Sequence, residues 1–155
     1  MWSYRVIKPV DIGPVLQLRD RLQFIYVNQG GTTTERYPCK VVLEAHFPPE
    51  LKKFIEDLNL GGRVGRNMLR MLPKGQSIPP HTDKWMPKEY NWRRFQLPII
   101  THPDIIMRWP DDGVEAHLEA GILYEVVYDR THEVINTQNE IERIHLQVDQ
   151  IDATI

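Results

Sequence analysis

After Gly62 the sequence breaks into short runs rich in β-branched and aromatic residues, divided at close intervals by turn-forming clusters. That punctuation leaves room for strands and little for helices. The clusters are Pro73-Lys74-Gly75, His102-Pro103-Asp104, Pro110-Asp111-Asp112-Gly113, Ala120-Gly121 and Thr137-Gln138-Asn139, and each carries the Pro, Gly, Asn or Asp that tight turns favour. Between and beside them the patterning predicts strands near 64–72, 76–83, 94–101, 104–109, 114–118, 122–128, 132–137 and 141–149. Eight short strands point to a mainly β jelly roll. The last run, Ile141 to Asp149, alternates: Arg143, His145, Gln147 and Asp149 share one face, and Ile144, Leu146 and Val148 the other.

The amino-terminal part reads differently. Leu51, Phe54, Ile55 and Leu58 recur at helical spacing, with Pro49 to start the helix and Gly61 to stop it, which predicts an amphipathic packing helix over 49–60. A shorter helix is expected over 11–22, with Asp11 as cap, Pro14 in the first turn, and Val15, Leu18 and Leu22 inward. A chain of 155 residues, 41% hydrophobic, suits one domain. Residues 1–62 are then an extension of a β core spanning 63–150.

Cys39 is the only cysteine, so no internal disulfide is possible and a reducing, cytoplasmic setting is expected. The first residues lack the basic-then-apolar order of a signal peptide, and no apolar run reaches membrane-spanning length. A formal net charge of -2 argues against nucleic acid as partner. The charge is uneven, however. Residues 61–94 hold Arg63, Arg66, Arg70, Lys74, Lys84, Lys88, Arg93 and Arg94 against only Asp83 and Glu89, a local balance of +6. Such a sector favours an acidic small-molecule or peptide substrate if it borders a cleft, and merely protects strand edges if it is scattered.

The chemistry-bearing residues begin with His81 and Asp83, two positions apart and so on one face of a strand. Pro79 and Pro80 before them favour an edge or a strand mouth, where a metal is reachable. His-x-Asp alone also fits a surface histidine beside a solvated aspartate. His132 opens another strand after the polar turn Tyr128-Asp129-Arg130-Thr131, and two imidazoles with one carboxylate on one octahedral face suit Fe(II) with three positions left open. Arg143, eleven residues after His132, is placed to return along a neighbouring strand and take a carboxylate bidentately. Arg70 either faces the same pocket or is solvated. Thr131 and His145 are candidates for orienting the metal-binding imidazoles; His117 fits either the barrel interior or a structural or exposed place, and Trp85, Trp92 and Trp109 fit either the pocket mouth or the core and rim that aromatic residues usually fill in a small β protein.

Residues 67–149 resemble the aspartyl/asparaginyl β-hydroxylase family of Fe(II)/2-oxoglutarate-dependent oxygenases. The likeness is carried by Met71-Leu72-Pro73-Lys74-Gly75 leading to His81, by Arg94-Phe95-Gln96-Leu97, by Gly121-Ile122-Leu123, by Tyr128-Asp129-Arg130-Thr131-His132-Glu133-Val134, and by Arg143-Ile144-His145-Leu146. It implies a cupin-like double-stranded β-helix, iron on His81 and His132, the far carboxylate of 2-oxoglutarate on Arg143, and Arg94 near the metal-proximal carboxylate. The reaction implied is oxidative decarboxylation of 2-oxoglutarate with O₂, coupled to hydroxylation of an unactivated C–H bond. Two positions depart from the family pattern. Asp83 adds a carboxylate that well-known animal members lack, and Gln96 stands where they carry a second co-substrate histidine. A cupin-like metal enzyme that does not use 2-oxoglutarate, and a non-catalytic ligand-binding barrel, are the alternatives.

Overall fold

A computed structural model describes residues 1–26, 38–84 and 86–155. The elements run β1 (Tyr4–Pro9), α1 (Gly13–Leu16), a 3₁₀ turn (Arg19–Arg21), β2 (Lys40–Leu43), α2 (Pro49–Asp57), β3 (Arg63–Leu72), β4 (Ile78–His81) and β5 (Trp92–Ile100). They continue with β6 (Ile105–Trp109), β7 (Val114–Ala116), β8 (Ile122–Val126), β9 (His132–Asn136) and β10 (Arg143–Ile151). Antiparallel pairing builds a six-stranded sheet in the order β1-β8-β5-β10-β3-β2 and a four-stranded sheet in the order β4-β9-β6-β7. This is the jelly-roll, double-stranded β-helix architecture, with two packing helices. No helix among the described residues is long and apolar enough to cross a membrane.

The large sheet is covered on both faces. On one side Val15, Leu51, Ile55 and Leu58 from the helical segments pack on Leu69, Phe95, Leu97, Leu123, Leu146 and Val148. Facing the small sheet on the other side are smaller apolar groups. Cys39, Leu72, Ile78, Ile105 and Val134 form one, and Met107, Trp109, Leu118, Tyr124 and Val126 the second. Between these lies the polar face of β10. Every residue of β10 is buried, as a central strand sandwiched by two layers requires.

All eight expected strands form, most of them trimmed at the ends. Two further strands were not legible. β1 ends in a proline at a sheet edge, and β2 is only four residues long, so neither shows a sustained period of two. The expected 11–22 helix shrinks to α1 and the 3₁₀ turn, and its N-cap is Ile12 rather than Asp11, whose side chain instead accepts the Gly13 N–H at 2.9 Å just outside the helix. The second helix stops at Asp57 because Asn59, Gly61 and Gly62 all take positive φ. Gly65 is required by close approach: a Cβ there would lie 1.9 Å from the Trp92 ring, which crosses it.

Strand β4 is the edge of the small sheet and carries Pro79 and Pro80. Its pairing with β9 is confined to Ile78 with Val134 and His81 with His132, with a register irregularity between.

Candidate metal centre

The His81–His132 register pair sets two imidazoles side by side, their ring centroids 4.4 Å apart. Asp83 follows two residues beyond His81, and its backbone N–H donates to the Tyr128 carbonyl at 3.0 Å, which turns its side chain toward both rings. Asp83 Oδ1 lies 3.9 Å from His81 Nε2, and Oδ2 lies 3.5 Å from His132 Nε2. One ligand atom from each residue falls within 4.8 Å of the others, the only such cluster of three among the described residues.

The imidazoles are oriented by the main chain. Nδ1 of His81 is 2.8 Å from the Pro79 carbonyl and Nδ1 of His132 is 2.8 Å from the Arg130 carbonyl. A carbonyl only accepts, so each Nδ1 bears the proton and each Nε2 is left as a bare lone pair aimed at the shared space. Thr131 and His145, expected in this orienting role, do not have it. A backbone oxygen two residues back is within reach of the ring, and sequence pattern does not reveal it. Burial, first of all, lowers the pKa of His81, which keeps that ring neutral and able to ligate. Burial opposes ionisation of Asp83, but the Arg94 guanidinium on its Oδ2 outweighs it and holds the carboxyl well below the usual range. Two neutral nitrogens and one carboxylate are the donor set of a catalytic Fe(II) site.

Beside the triad a pocket opens between the sheets, lined by Arg70, Ile78, His81, Arg94, Gln96, Met107, His132, Val134, Arg143 and His145. The expected site residues other than Asp83 thus line one cavity, with different partners. Arg94 is clamped by Asp149, with Nε to Oδ1 at 2.7 Å and Nη2 to Oδ2 at 3.0 Å, and its Nη1 holds Asp83 Oδ2. Gln96 accepts from His145 Nδ1 at 2.9 Å. Arg70 donates to Gln147 Oε1 at 2.9 Å, and Gln147 in turn reaches Asp149 at 3.4 Å. Arg143 is buried, and among the described residues no carboxylate pairs with it. Burial lowers both Arg70 and Arg143 to about 10, so both remain cations. His145 is held neutral by burial, then by Arg143 and Arg70, and its Nε2 has no partner among the described residues.

Sequence reasoning misses Asp149, Gln147 and Tyr128 as site residues, although Asp149 and Gln147 share the strand face of Arg143 and that parity is a usable signal. Other expectations are corrected. Trp109 is fully buried rather than at the mouth, stacked on Tyr4 at 5.8 Å with Nε1 donating to the Val127 carbonyl, because an inward strand position claims the largest apolar side chain. Trp92 lies over Gly65 and donates to the Pro87 carbonyl. Trp85 falls outside the described residues. His117 Nδ1 is 3.0 Å from the Ile105 carbonyl and takes no part in the triad. Of the basic sector, Arg93 is consumed by Glu125 and Arg94 by Asp149 and Asp83, and Arg70 is interior.

No family model matches the sequence, and a search of curated proteins finds no match. Solved structures do match. A Pseudomonas putida prolyl-4-hydroxylase superposes with a TM-score of 0.63 at 17% identity, covering 96% of this chain and 92% of that one. A viral collagen prolyl hydroxylase from Paramecium bursaria Chlorella virus-1, solved as its 2OG complex, gives 0.60 at 10% identity over 96% and 95%. The non-haem α-ketoglutarate-dependent epimerase SnoN from nogalamycin biosynthesis gives 0.64 at 15% identity over 98% and 79%. At these identities the likeness establishes a shared fold.

Proposed function

We propose that this chain is an Fe(II)- and 2-oxoglutarate-dependent oxygenase that hydroxylates an unactivated C–H bond. One observation carries the reading: a two-histidine, one-aspartate cluster shares a pocket with a buried arginine that has no carboxylate of its own among the described residues. A metal chelate at one end and a lone guanidinium at the other form a receptacle for a keto-dicarboxylate. Two structures that share the fold are named hydroxylases, and the third, named an epimerase, shares only the α-ketoglutarate dependence.

His81, Asp83 and His132 are the proposed iron ligands, and Arg143 takes the distal carboxylate of 2-oxoglutarate, assisted by Arg70. Bound there, Fe(II) would supply the oxidative decarboxylation of 2-oxoglutarate with O₂ and the hydroxylation of substrate. The chain's own contribution is orientation and exclusion. Pro79 and Arg130 carbonyls lock the imidazole tautomers, Arg143 and Arg70 fix the co-substrate's far end, and His145 Nε2 offers a further polar contact inside the pocket. Ile78, Met107 and Val134 keep the walls dry. Arg94 and Gln96 line the cavity while committed to protein partners, so the co-substrate role for them rests on resemblance alone.

The sequence blocks around Arg94, His132 and Arg143 support the finer likeness to aspartyl/asparaginyl β-hydroxylases. With the basic residues 61–94, they favour an acidic small molecule or peptide as substrate. The decisive experiment is anaerobic addition of Fe(II) and then 2-oxoglutarate. A visible metal-to-ligand charge-transfer band is expected, and it should vanish in His81→Ala and His132→Ala together with iron binding. Tight iron binding without the band would shift the reading to a metal enzyme that does not use 2-oxoglutarate, and unchanged iron affinity in both variants would remove the ligand assignment.

A further inference from the structure

The two ring nitrogens of His145 meet opposite conditions. Nδ1 is 2.9 Å from Gln96 Oε1, while Nε2 is buried with no partner among the described residues. The titratable groups that act on the ring are Arg143 on its own strand, Arg70 on β3 and His117 just past β7. From the small sheet, β6 and β9 present only Met107 and Val134 to the same pocket beside the His132 ligand. A neutral imidazole has one N–H and one bare nitrogen, and the partner of Nδ1 decides which is which. At His81 and His132 that partner is a main-chain carbonyl, which only accepts, so their tautomers are fixed. At His145 it is a primary amide. Half a turn about its last side-chain bond lets Gln96 present N–H in place of oxygen with almost no change of shape, and among the described residues its side chain has no second partner to prevent this.

We propose that Gln96 and His145 form a tautomer relay that responds to the co-substrate's far carboxylate. In the empty pocket Gln96 accepts from Nδ1 and Nε2 keeps its lone pair. With the carboxylate bound, Gln96 reverses, Nδ1 accepts from its amide, and Nε2–H donates to the carboxylate. The inference rests on the oxygenase reading above and deepens its co-substrate site. The electrostatics supply the drive. Two guanidinium charges beside the ring favour a lone pair over an N–H at the unpartnered nitrogen. A carboxylate seated on Arg143 and Arg70 cancels that field and itself repels a lone pair, so the preference inverts. One proton leaves Nδ1 and one arrives at Nε2, exchanged with solvent as the ligand enters, so the ring stays neutral and binding takes up no net proton. Position 96 therefore needs a side chain that both donates and accepts. Gln96 is a positioning residue acting through His145, which touches the co-substrate.

The ¹⁵N shifts of the His145 ring, assigned by their loss in His145→Gln, distinguish the tautomers. They should report Nδ1–H in ligand-free protein and Nε2–H in protein loaded with Zn(II), in place of iron, and 2-oxoglutarate. The same tautomer in both, or a charged ring in either, overturns the relay. Gln96→Glu supplies a carboxylate that only accepts, so Nε2 donates only if the ring takes up a second proton. Its 2-oxoglutarate affinity, read from the Fe(II) charge-transfer band, should fall at least about tenfold at neutral pH and fall further as pH rises, more steeply than in wild type. A pH dependence equal to that of wild type would overturn the inference. In the His145→Gln background, Gln96→Glu should add no such slope, and a slope that survives there belongs to the new carboxyl and removes the assignment to His145. Should Gln96→Glu not fold, the wild-type ring shifts decide alone. If wild type forms no band with Fe(II) and 2-oxoglutarate, the co-substrate reading fails, and the ring is read with glutarate alone: Nε2–H retains the relay, and an unmoved Nδ1–H overturns it.

Discussion

The two faces of the six-stranded sheet are both largely hidden from solvent and chemically opposite. On the helix side, Leu69, Phe95, Leu97, Leu146 and Val148 pack as hydrocarbon. Facing the small sheet, the alternate residues of the same strands are Arg70, Arg94, Gln96, Arg143, His145, Gln147 and Asp149. The first face gains stability from every buried methylene. On the second, cost is offset only where hydrogen bonds and counter-charges are complete, and at Arg143 and His145 they are not. An interior left unsatisfied at particular atoms is organised for a ligand, whereas the apolar face is organised for the fold.

Mutations that strike the two faces of one strand should separate these purposes. The largest effect is expected from Asp149→Leu, which removes the wholly buried carboxylate from Arg94 and leaves that cation to the part-exposed Asp83 alone: about 3–5 kcal/mol of stability lost by urea or thermal unfolding. On the opposite face of β10, Leu146→Ala should cost about 2–5 kcal/mol for its cavity, while iron and 2-oxoglutarate titrations on the folded fraction stay close to wild type. Equal loss of ligand affinity in Leu146→Ala would erase the distinction between faces.

Arg143→Met inverts the pattern. Removing a buried cation that no carboxylate among the described residues compensates should leave stability without ligand unchanged or raised, and should weaken 2-oxoglutarate binding by about 2–5 kcal/mol. Calorimetric titration against thermal melts reads both quantities, and a destabilised variant with unaltered co-substrate affinity would move Arg143 to the structural side.

The smallest expected effect concerns pH. Burial, then Arg143, Arg70 and His117, lowers the His145 pKa in the folded protein well below its ordinary value of 6.5. Above about pH 6.5 the imidazole is neutral in both states, and this stability is fully present. As pH falls below that value the unfolded chain takes up a proton that the native ring refuses, so stability declines by at most about 1.4 kcal/mol per pH unit. His81, shifted in the same direction, adds to the slope. His145→Gln should flatten the decline between pH 6.5 and 5, measured by melts at each pH. An unchanged slope would assign it to His81 and other groups.

The strand positions after residue 62 were legible because turns and period-two runs are local properties, whereas the order of strands in the two sheets was not. The parity of β10 was legible too, and it separated Arg143 and His145 correctly from Ile144 and Leu146. A polar face, however, reads the same whether it meets water or a second sheet, so the burial of Arg70 could not be decided from pattern. The Arg94–Asp149 clamp joins residues 55 apart, and β10 and β5 become neighbours only in the folded sheet. The carbonyls that orient His81 and His132 belong to the main chain, on which sequence pattern is silent.

Strand β4 gives the candidate metal centre a temporal order. His132 sits on an inner strand, flanked on both sides, whereas His81 ends an edge strand held by two register pairs and containing two residues that lack an amide hydrogen. The prolines also keep that edge from templating a foreign strand. Few ladder bonds mean a low free energy of local opening, so β4 is the segment whose protection from hydrogen exchange should depend most on occupancy of the site. Binding a cation between the two strands would close the seam. Metal loading would then act as the last fold-completing contact of the small sheet, and its loss as the first point of fraying.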